Sequence, residues 1–186
     1  MTEIASQVDI SKALAIGGWM SEKELTWLAI QASKCNKIVE FGCFHGRSTR
    51  ALADNSSKNA IIWAVDIWGS DYFMENGEKV EIDTCCMPIF KDNLKDHIKA
   101  GKIIPVRQFS SNFFLHEKVD MVFIDADHRF NSVYSDITRA MNLLKPNGLL
   151  CGHDYDHPQW PGVSQAVDYL IGDIEVEEMI WWTRKF

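Results

Sequence analysis

One stretch, residues 37–49 with the sequence KIVEFGCFHGRST, constrains the fold of this chain more than any other. An apolar run reaches Glu40, glycines follow at Gly42 and Gly46, and a helix-forming run begins at Ser48. This order predicts a buried strand, a tight turn and the N-terminus of a helix, where backbone N–H groups face a ligand. Glycines allow positive φ and let a ligand lie against the backbone. The stretch therefore predicts an α/β unit with a ligand-binding turn.

The spacing of the glycines narrows the choice of ligand. A dinucleotide fingerprint requires G-x-G-x-x-G, but Phe44 and Arg47 stand where its second and third glycines would be. A nicotinamide-dependent oxidoreductase on the same architecture is therefore the less favoured alternative. Taken alone, the stretch is also compatible with an ordinary glycine-rich turn between a strand and a helix.

Length and composition exclude several classes of protein. The 186 residues predict one domain, 1–186. The net charge of −7 argues against a nucleic-acid partner, whose phosphates attract a basic face. We expect no membrane segment, because no run approaches the length of a span, and a cytoplasmic location, because the start lacks signal-peptide character. The five cysteines contain no C-x-x-C pair, so neither a zinc site nor a disulfide framework is predicted.

Strands and helices alternate along most of the chain, which predicts a mostly parallel sheet covered on both faces. A capping box from Ser21 to Glu24 predicts a helix to about residue 33, within an N-terminal helical cap over 1–34. Residues 67–87 lack periodicity and carry aromatic side chains, which predicts a lid insertion. Helices are predicted over about 89–100 and 110–115, and a turn over 145–148. The last two strands, at 174–177 and 180–183, are predicted to form an antiparallel hairpin.

Four acidic residues follow four predicted strands: Glu40, Asp66, Asp125 and Asp154. In open parallel sheets, ligands bind beyond the carboxyl ends of the strands. One such acid is easily explained as a solvated loop residue, but four at four strand ends predict a site.

Six motifs occur in a fixed order. They are Gly18–Ser21, Glu40–Thr49, Asp66–Trp68, Ile124–His128, Leu144–Gly148 and Gly152–Tyr155. Together they resemble a small bacterial family of class I S-adenosylmethionine-dependent methyltransferases that includes sugar and macrolide O-methyltransferases, over about residues 17–186. The resemblance implies a Rossmann-like α/β fold with a doubly wound, mostly parallel seven-stranded sheet and an antiparallel C-terminal hairpin.

The resemblance implies which residues bind S-adenosylmethionine. Asp66 accepts the ribose hydroxyls, and Glu40 either holds the turn or approaches the cofactor's ammonium group. Trp68 either walls a pocket or belongs to the core. The implied cofactor-binding set is Glu40, Gly42, Phe44, Gly46, Ser48, Asp66, Trp68, Phe109, Ser110 and Asp125.

The resemblance also implies a divalent metal, Mg²⁺ or Mn²⁺, held by Asp125 and Asp154. Carboxylate oxygens suit such hard cations. His153, beside Asp154, either is a third ligand, which favours a softer ion, or packs beneath Asp154 in a degraded site.

The catalytic candidates are His128 and Asp127, which follow Asp125 directly. A histidine titrates near neutrality and suits removal of a hydroxyl proton. The predicted reaction is O-methylation of a small-molecule acceptor, held by the N-terminal segment and the loops 67–87 and 155–162. A binding module without turnover is the second alternative, and a homo-oligomer is compatible with the sequence.

Overall fold

The computed structural model describes residues 8–69, 72–75, 78–81 and 86–184; of residues 72–75 and 78–81, it describes the backbone. The strands in these ranges are β1 (Lys37–Phe41), β2 (Ile61–Asp66), β3 (Tyr72–Glu75), β4 (Glu78–Glu81), β5 (Ile103–Arg107), β6 (Val119–Ile124), β7 (Leu144–Gly152), β8 (Glu175–Glu177) and β9 (Ile180–Thr183). The helices are α1 (Ser11–Leu14), α2 (Glu22–Ala32), α3 (Arg47–Asn55), α4 (Cys86–Asn93), α5 (Lys95–Lys99), α6 (Phe130–Leu143) and α7 (Pro161–Leu170).

Seven of these strands form one mixed sheet in the order β5-β2-β1-β6-β7-β9-β8. The first five in this order are parallel, whereas β9 runs antiparallel to both β7 and β8. The predicted fold class is therefore confirmed. The strand order reverses between β1 and β6, and in such sheets this crevice is where ligands bind.

Two apolar clusters cover the two faces of the sheet. In β1, Ile38 belongs to one cluster while Val39 and Phe41 belong to the other, as the period of two in a strand requires. Helices α2 and α3 pack on the first face through residues such as Leu28 and Leu52. Helices α6 and α7 pack on the second face. Both clusters are composed of residues that are nearly or completely buried.

The N-terminus of α2 follows the prediction closely. Ser21 is the N-cap, its hydroxyl accepts from the Glu24 N–H, and the Glu24 carboxylate accepts from the Ser21 N–H. This reciprocal pair is the capping box that the sequence predicts. The helix ends at Ala32, one residue before the predicted end.

Three predicted elements differ in the structure. The predicted helix over 89–100 is broken at Leu94, which leaves helical geometry and is completely buried. The predicted helix over 110–115 is only a 3-10 turn at Ser110–Asn112, because Phe113 adopts an extended conformation and buries its ring against Phe41. The turn 145–148 is an irregularity inside β7, between the pairs Val119–Leu144 and Met121–Leu149.

The aperiodic segment 67–87 contains a two-stranded antiparallel ribbon of β3 and β4, for which the sequence has no recognisable pattern. The side chains of Tyr72, Phe73 and Cys85 lie outside the described residues, so the lid over 67–87 stays a prediction. Cys43 and Cys151 are buried in the apolar core. Within the described ranges, no helix has both the length and the apolar character needed to cross a bilayer.

Candidate active site at the carboxyl ends of the strands

The turn after β1 has the backbone conformation that its glycines predict. Gly42 and Gly46 have φ values of +85° and +89°. A Cβ on Gly42 would lie 2.0 Å from the Asp125 carbonyl oxygen, and one on Gly46 would lie 2.6 Å from Leu94 Cδ1. Gly42 meets backbone, so the absence of a side chain there lets the end of β6 lie directly against this turn. At Gly46 the positive φ favours glycine.

The side chain of Glu40 holds the turn to the start of α3. Its side chain is completely buried, and its two oxygens accept hydrogen bonds of 2.5 Å from the Ser48 and Thr49 hydroxyls at the start of α3. Burial, reinforced by the negative charge of Asp125, raises the pKa of Glu40 to about 7, against the opposing effect of the two hydroxyl donors. Of the two predicted roles for Glu40, this geometry matches holding the turn.

Asp66 connects the ends of β1 and β2. One carboxylate oxygen accepts from the Cys43 and Phe44 N–H groups at 2.7 and 2.9 Å, and the other accepts from the Trp68 N–H at 2.7 Å. The Trp68 indole is only 3% exposed, donates to the Phe44 carbonyl and packs on Phe90. Trp68 therefore has the environment of a core residue, the second of its two predicted roles.

The predicted adenine edge lies after β5. Phe109 is 59% exposed, whereas Ser110 donates a 2.5 Å hydrogen bond to Asp136 of α6. Asp136 is 2% exposed, and burial raises its pKa to about 6. This link attaches the segment after β5 to α6.

A group of ionisable side chains lies at the ends of β6 and β7. One ligand atom from each of Asp125, His128 and Asp154 lies within 4.8 Å of the others. His128 Nε2 is 2.8 Å from Asp154 Oδ2. Burial of His128 opposes its charge, but the hydrogen bond to Asp154 and the charge of Asp125 outweigh that effect and raise its pKa. The structure thus brings a predicted base and two predicted metal ligands together.

The three side chains are held by their surroundings. Trp160, in the loop before α7, stacks on the His128 ring at 4.6 Å between centroids. A Cβ on Gly162 would lie 2.6 Å from the His128 carbonyl oxygen, so the start of α7 packs directly on the His128 loop. Burial raises the pKa of Asp125 to about 6, and the nearby Asp154 adds to this effect.

His153 lies beside this group but outside it. Its Nε2 is 3.1 Å from Glu24 Oε1, and its Nδ1 is 3.4 Å from Asp154 Oδ1 and 3.8 Å from Asp125 Oδ1. Burial opposes its charge, but hydrogen bonds to Asp154 and Glu24 raise its pKa to about 10. Among the described residues, the converging three-residue group contains His128 and not His153, so the role of His153 as a metal ligand stays a prediction.

Asp127 has its own partners. Its carboxylate accepts from the Arg129 N–H at 2.9 Å and from Ser132 at 3.1 Å, and it forms an ion pair with the Arg129 guanidinium. Burial opposes ionisation, but these donors lower the pKa of Asp127. Asp127 is thus engaged at the start of α6, where it is a weaker base than a free carboxylate.

Two residues that shape the site, Glu24 and Arg47, were not predicted from the sequence to do so. Arg47 donates to the carbonyl groups of Leu14, Ile16 and Met20, which fixes the N-terminal segment on the turn. The capping box pointed to Glu24 and the motif pointed to Arg47, but no sequence spacing indicates their distant partners.

Comparison with known proteins identifies the family. A family model described as a methyltransferase domain matches residues 39–155, which contain the glycine turn and all four strand-end acids. The chain belongs to this family, and its predicted class, an S-adenosylmethionine-dependent methyltransferase domain, is confirmed.

Solved structures share the fold at low sequence identity. The SAH-bound methyltransferase PaMTH1 of Podospora anserina has a TM-score of 0.68 at 16% identity, over 100% of this chain and 89% of that one. An O-methyltransferase from Bacillus cereus in complex with SAH has a TM-score of 0.63 at 15% identity, over 100% and 92% of the two chains. The TDP-rhamnose 3'-O-methyltransferase CalS11 of calicheamicin biosynthesis has a TM-score of 0.65 at 14% identity, over 98% and 93%.

One curated relative is the uncharacterized protein R132 of Acanthamoeba polyphaga mimivirus. It is 24% identical over 145 residues, which are 74% of this chain. The match spans 60% of the length of that protein.

Proposed function

We propose that this protein transfers a methyl group from S-adenosylmethionine to a hydroxyl of a small acceptor. One observation carries the proposal. The group of Asp125, His128 and Asp154 directly adjoins the glycine turn, since the Asp125 backbone fills the space where Gly42 lacks a side chain. A cofactor on the turn would therefore present its methyl group beside a candidate base.

The cofactor site is proposed on the first half of the sheet. The backbone of Gly42, Phe44, Gly46 and Ser48 would face the methionine part, as a turn at a helix N-terminus does for polar ligands. Asp66 would accept the ribose hydroxyls, because each carboxylate oxygen has two lone pairs and Oδ1 has the Trp68 N–H as its backbone partner. Phe109 and Ser110 would border the adenine.

His128 is the proposed general base. It would accept the hydroxyl proton while the acceptor oxygen forms a bond to the methyl carbon of S-adenosylmethionine. The methyl–sulfur bond would break, and its electron pair would remain on the sulfur of the product, S-adenosylhomocysteine (SAH). Asp154 at 2.8 Å orients the imidazole and stabilises its protonated form. Asp127 is less suited, because Arg129 and Ser132 already bind its carboxylate.

The residues present also fit a divalent metal. Two carboxylates and an imidazole converge within 4.8 Å, and oxygen ligands suit Mg²⁺ or Mn²⁺. Asp125 and Asp154 would hold the ion, with His128 rather than His153 as the neighbouring nitrogen. A bound divalent ion would stabilise negative charge on the acceptor oxygen.

The acceptor is proposed to carry a sugar-type hydroxyl. The sequence motifs point to sugar and macrolide methyltransferases, and CalS11, a TDP-rhamnose 3'-O-methyltransferase, shares the fold over 98% of this chain. Trp160 is 38% exposed beside His128, and it offers an apolar surface against which a sugar ring can pack. Family membership leaves the nicotinamide-dependent alternative without support.

The test is an assay of methyl transfer to a panel of free and nucleotide-linked sugars and phenols, in which turnover is measured as SAH formation. We expect turnover with at least one hydroxylated acceptor and a loss of turnover in chelator that Mg²⁺ or Mn²⁺ restores. Full turnover in chelator would remove the metal from the proposal. Tight SAH binding without turnover on the whole panel would favour a binding module.

A further inference from the structure

Glu24 is a buried carboxylate that lies outside the six sequence motifs but contacts residues of two of them, Ser21 and His153. Glu24 is 1% exposed, and its carboxylate contacts three separate parts of the chain. Oε2 accepts from the Ser21 N–H at 2.7 Å, while Oε1 faces His153 Nε2 at 3.1 Å and the Met179 N–H at 3.3 Å. Glu24 thus joins the start of α2 to the end of β7 and the turn between β8 and β9.

A capping box alone does not account for this arrangement. The box requires one carboxylate oxygen, which accepts from the N-cap N–H, and a surface position satisfies that need. Burying a carboxylate is costly unless its other oxygen is also paired. The second oxygen of Glu24 is paired with His153, which is itself 5% exposed.

His153 carries the contact onward to the reaction site. While its Nε2 contacts Glu24, its Nδ1 lies 3.4 Å from Asp154 Oδ1. The other oxygen of Asp154, Oδ2, is 2.8 Å from His128 Nε2. One continuous chain therefore runs from Glu24 through His153 and Asp154 to His128.

We infer that Glu24 is a positioning residue for the reaction site, acting through His153 to fix the orientation of Asp154 and thereby of His128. The N-terminal helix α2 is then part of the active-site support. This inference rests on the proposed function of His128, but the chain of contacts from Glu24 to His128 is present whatever the acceptor.

The substitution Glu24→Gln tests this link with little change of shape. The glutamine amide has one acceptor and one donor end, whereas all three partners of Glu24 are N–H groups or a histidine nitrogen facing it. One orientation sets the amide NH₂ against the Ser21 N–H, and the other sets it against the Met179 N–H. In the first orientation the amide oxygen keeps the contact with His153 but lacks the negative charge of Glu24. In the second orientation the NH₂ group faces His153 Nε2. The contact that holds His153 is therefore weakened in both orientations.

The measurement is the NMR spectrum of the histidine rings in the full chain at pH 7, without acceptor. We expect the ring signals of both His153 and His128 to shift in Glu24→Gln, because the disturbance passes through Asp154. Unchanged His128 signals in a folded Glu24→Gln variant would overturn the inference. If this variant does not fold, His153→Gln breaks the same chain at its second member, and the same criterion applies to His128.

Ser21→Ala is the matched control. It removes the other half of the capping box and weakens the same helix end, but it leaves the Glu24–His153 contact in place. We expect a lower melting temperature and unchanged His128 signals. A His128 shift in Ser21→Ala equal to that in Glu24→Gln would reduce Glu24 to a structural role. Calorimetry with SAH on the same samples tests the proposed function separately, since the histidine signals do not depend on it.

Discussion

The four strand-end acids form two pairs with different surroundings. Within the described part of the chain, the hydrogen bonds to Glu40 and Asp66, after β1 and β2, come from uncharged groups such as the Ser48 and Thr49 hydroxyls and backbone N–H groups. Asp125 and Asp154, after β6 and β7, face two imidazoles. Acidic residues at the same edge of the sheet thus have two different environments.

We infer from this difference that the first pair stabilises the structure and that the second pair takes part in the proposed reaction. The first pair holds a turn whose backbone is the proposed cofactor surface, so its carboxylates stabilise a shape. The second pair contacts His128, the proposed base, so it lies where a proton would be transferred in the proposed reaction. We call the surroundings of Glu40 and Asp66 the first region and those of Asp125 and Asp154 the second region. Substitutions in the first region should change stability or cofactor binding, and those in the second region should change turnover.

The largest expected effect belongs to the second region. His128→Ala should lower the rate of methyl transfer by about 10²–10⁴, the usual contribution of a general base, with SAH binding retained. The rate is measured as SAH formation under saturating acceptor. His157→Ala is the control, since the His157 ring also stacks on Trp160, at 6.1 Å, but is not part of the cluster. Equal rates in wild type and His128→Ala would move the base role to another group.

In the first region the largest effect should come from Gly42→Ala. Its Cβ would overlap the Asp125 backbone at 2.0 Å, and φ is +85°. We expect a loss of about 3 kcal/mol or more in the free energy of unfolding, from overpacking and left-handed strain together.

Gly101→Ala separates the two causes. Gly101 has φ of +73° with no atom within 4 Å of the added Cβ, so only the backbone cost of about 1–2 kcal/mol remains. Urea unfolding of both variants gives the comparison. Equal losses would show that the contact between Gly42 and the end of β6 contributes nothing.

A smaller effect should appear in the pH dependence of stability. The pKa of Glu40 is raised from 4.5 to about 7, so the folded state binds its proton more tightly than the unfolded state. The free energy of unfolding should therefore fall as pH rises from about 4.5 to about 7. Glu40→Gln lacks this contribution, so the difference between the variant and wild type should change by roughly 2–3 kcal/mol across that window.

Asp125 and Asp136, whose pKa values are both raised to about 6, are present in both proteins and largely cancel in that difference. Unfolding curves at several pH values provide the measurement. Parallel pH profiles for wild type and Glu40→Gln would mean that Glu40 stays ionised in the fold.

Local patterns predicted the fold and the position of the site. Alternating strands and helices gave the sheet, and the capping box located the start of α2 correctly. The break at Leu94 depends on tertiary burial, which periodicity does not contain. The ribbon of β3 and β4 arose in a segment with no pattern at all.

Partners distant in sequence limited the prediction of side-chain roles. His153 and Glu24 are 129 residues apart, so the sequence placed His153 next to Asp154 without showing that Glu24 holds its other nitrogen. Asp127 follows Asp125 closely, yet its pairing with Arg129 and Ser132 separates their roles. Spacing located the cluster, but only three-dimensional contacts distinguish its members.

The most direct test of the division between the two pairs is calorimetry of SAH binding to wild type, Asp66→Asn and Asp154→Asn. We expect wild type to bind with a Kd in the micromolar range, about −8 kcal/mol. Asp66→Asn should bind at least about tenfold more weakly, because charged hydrogen bonds to the ribose are each worth about 1.5–3 kcal/mol. Asp154→Asn should bind SAH as wild type does. No binding to wild type, or a loss in Asp154→Asn with none in Asp66→Asn, would contradict the assignment of cofactor binding to the first pair and chemistry to the second.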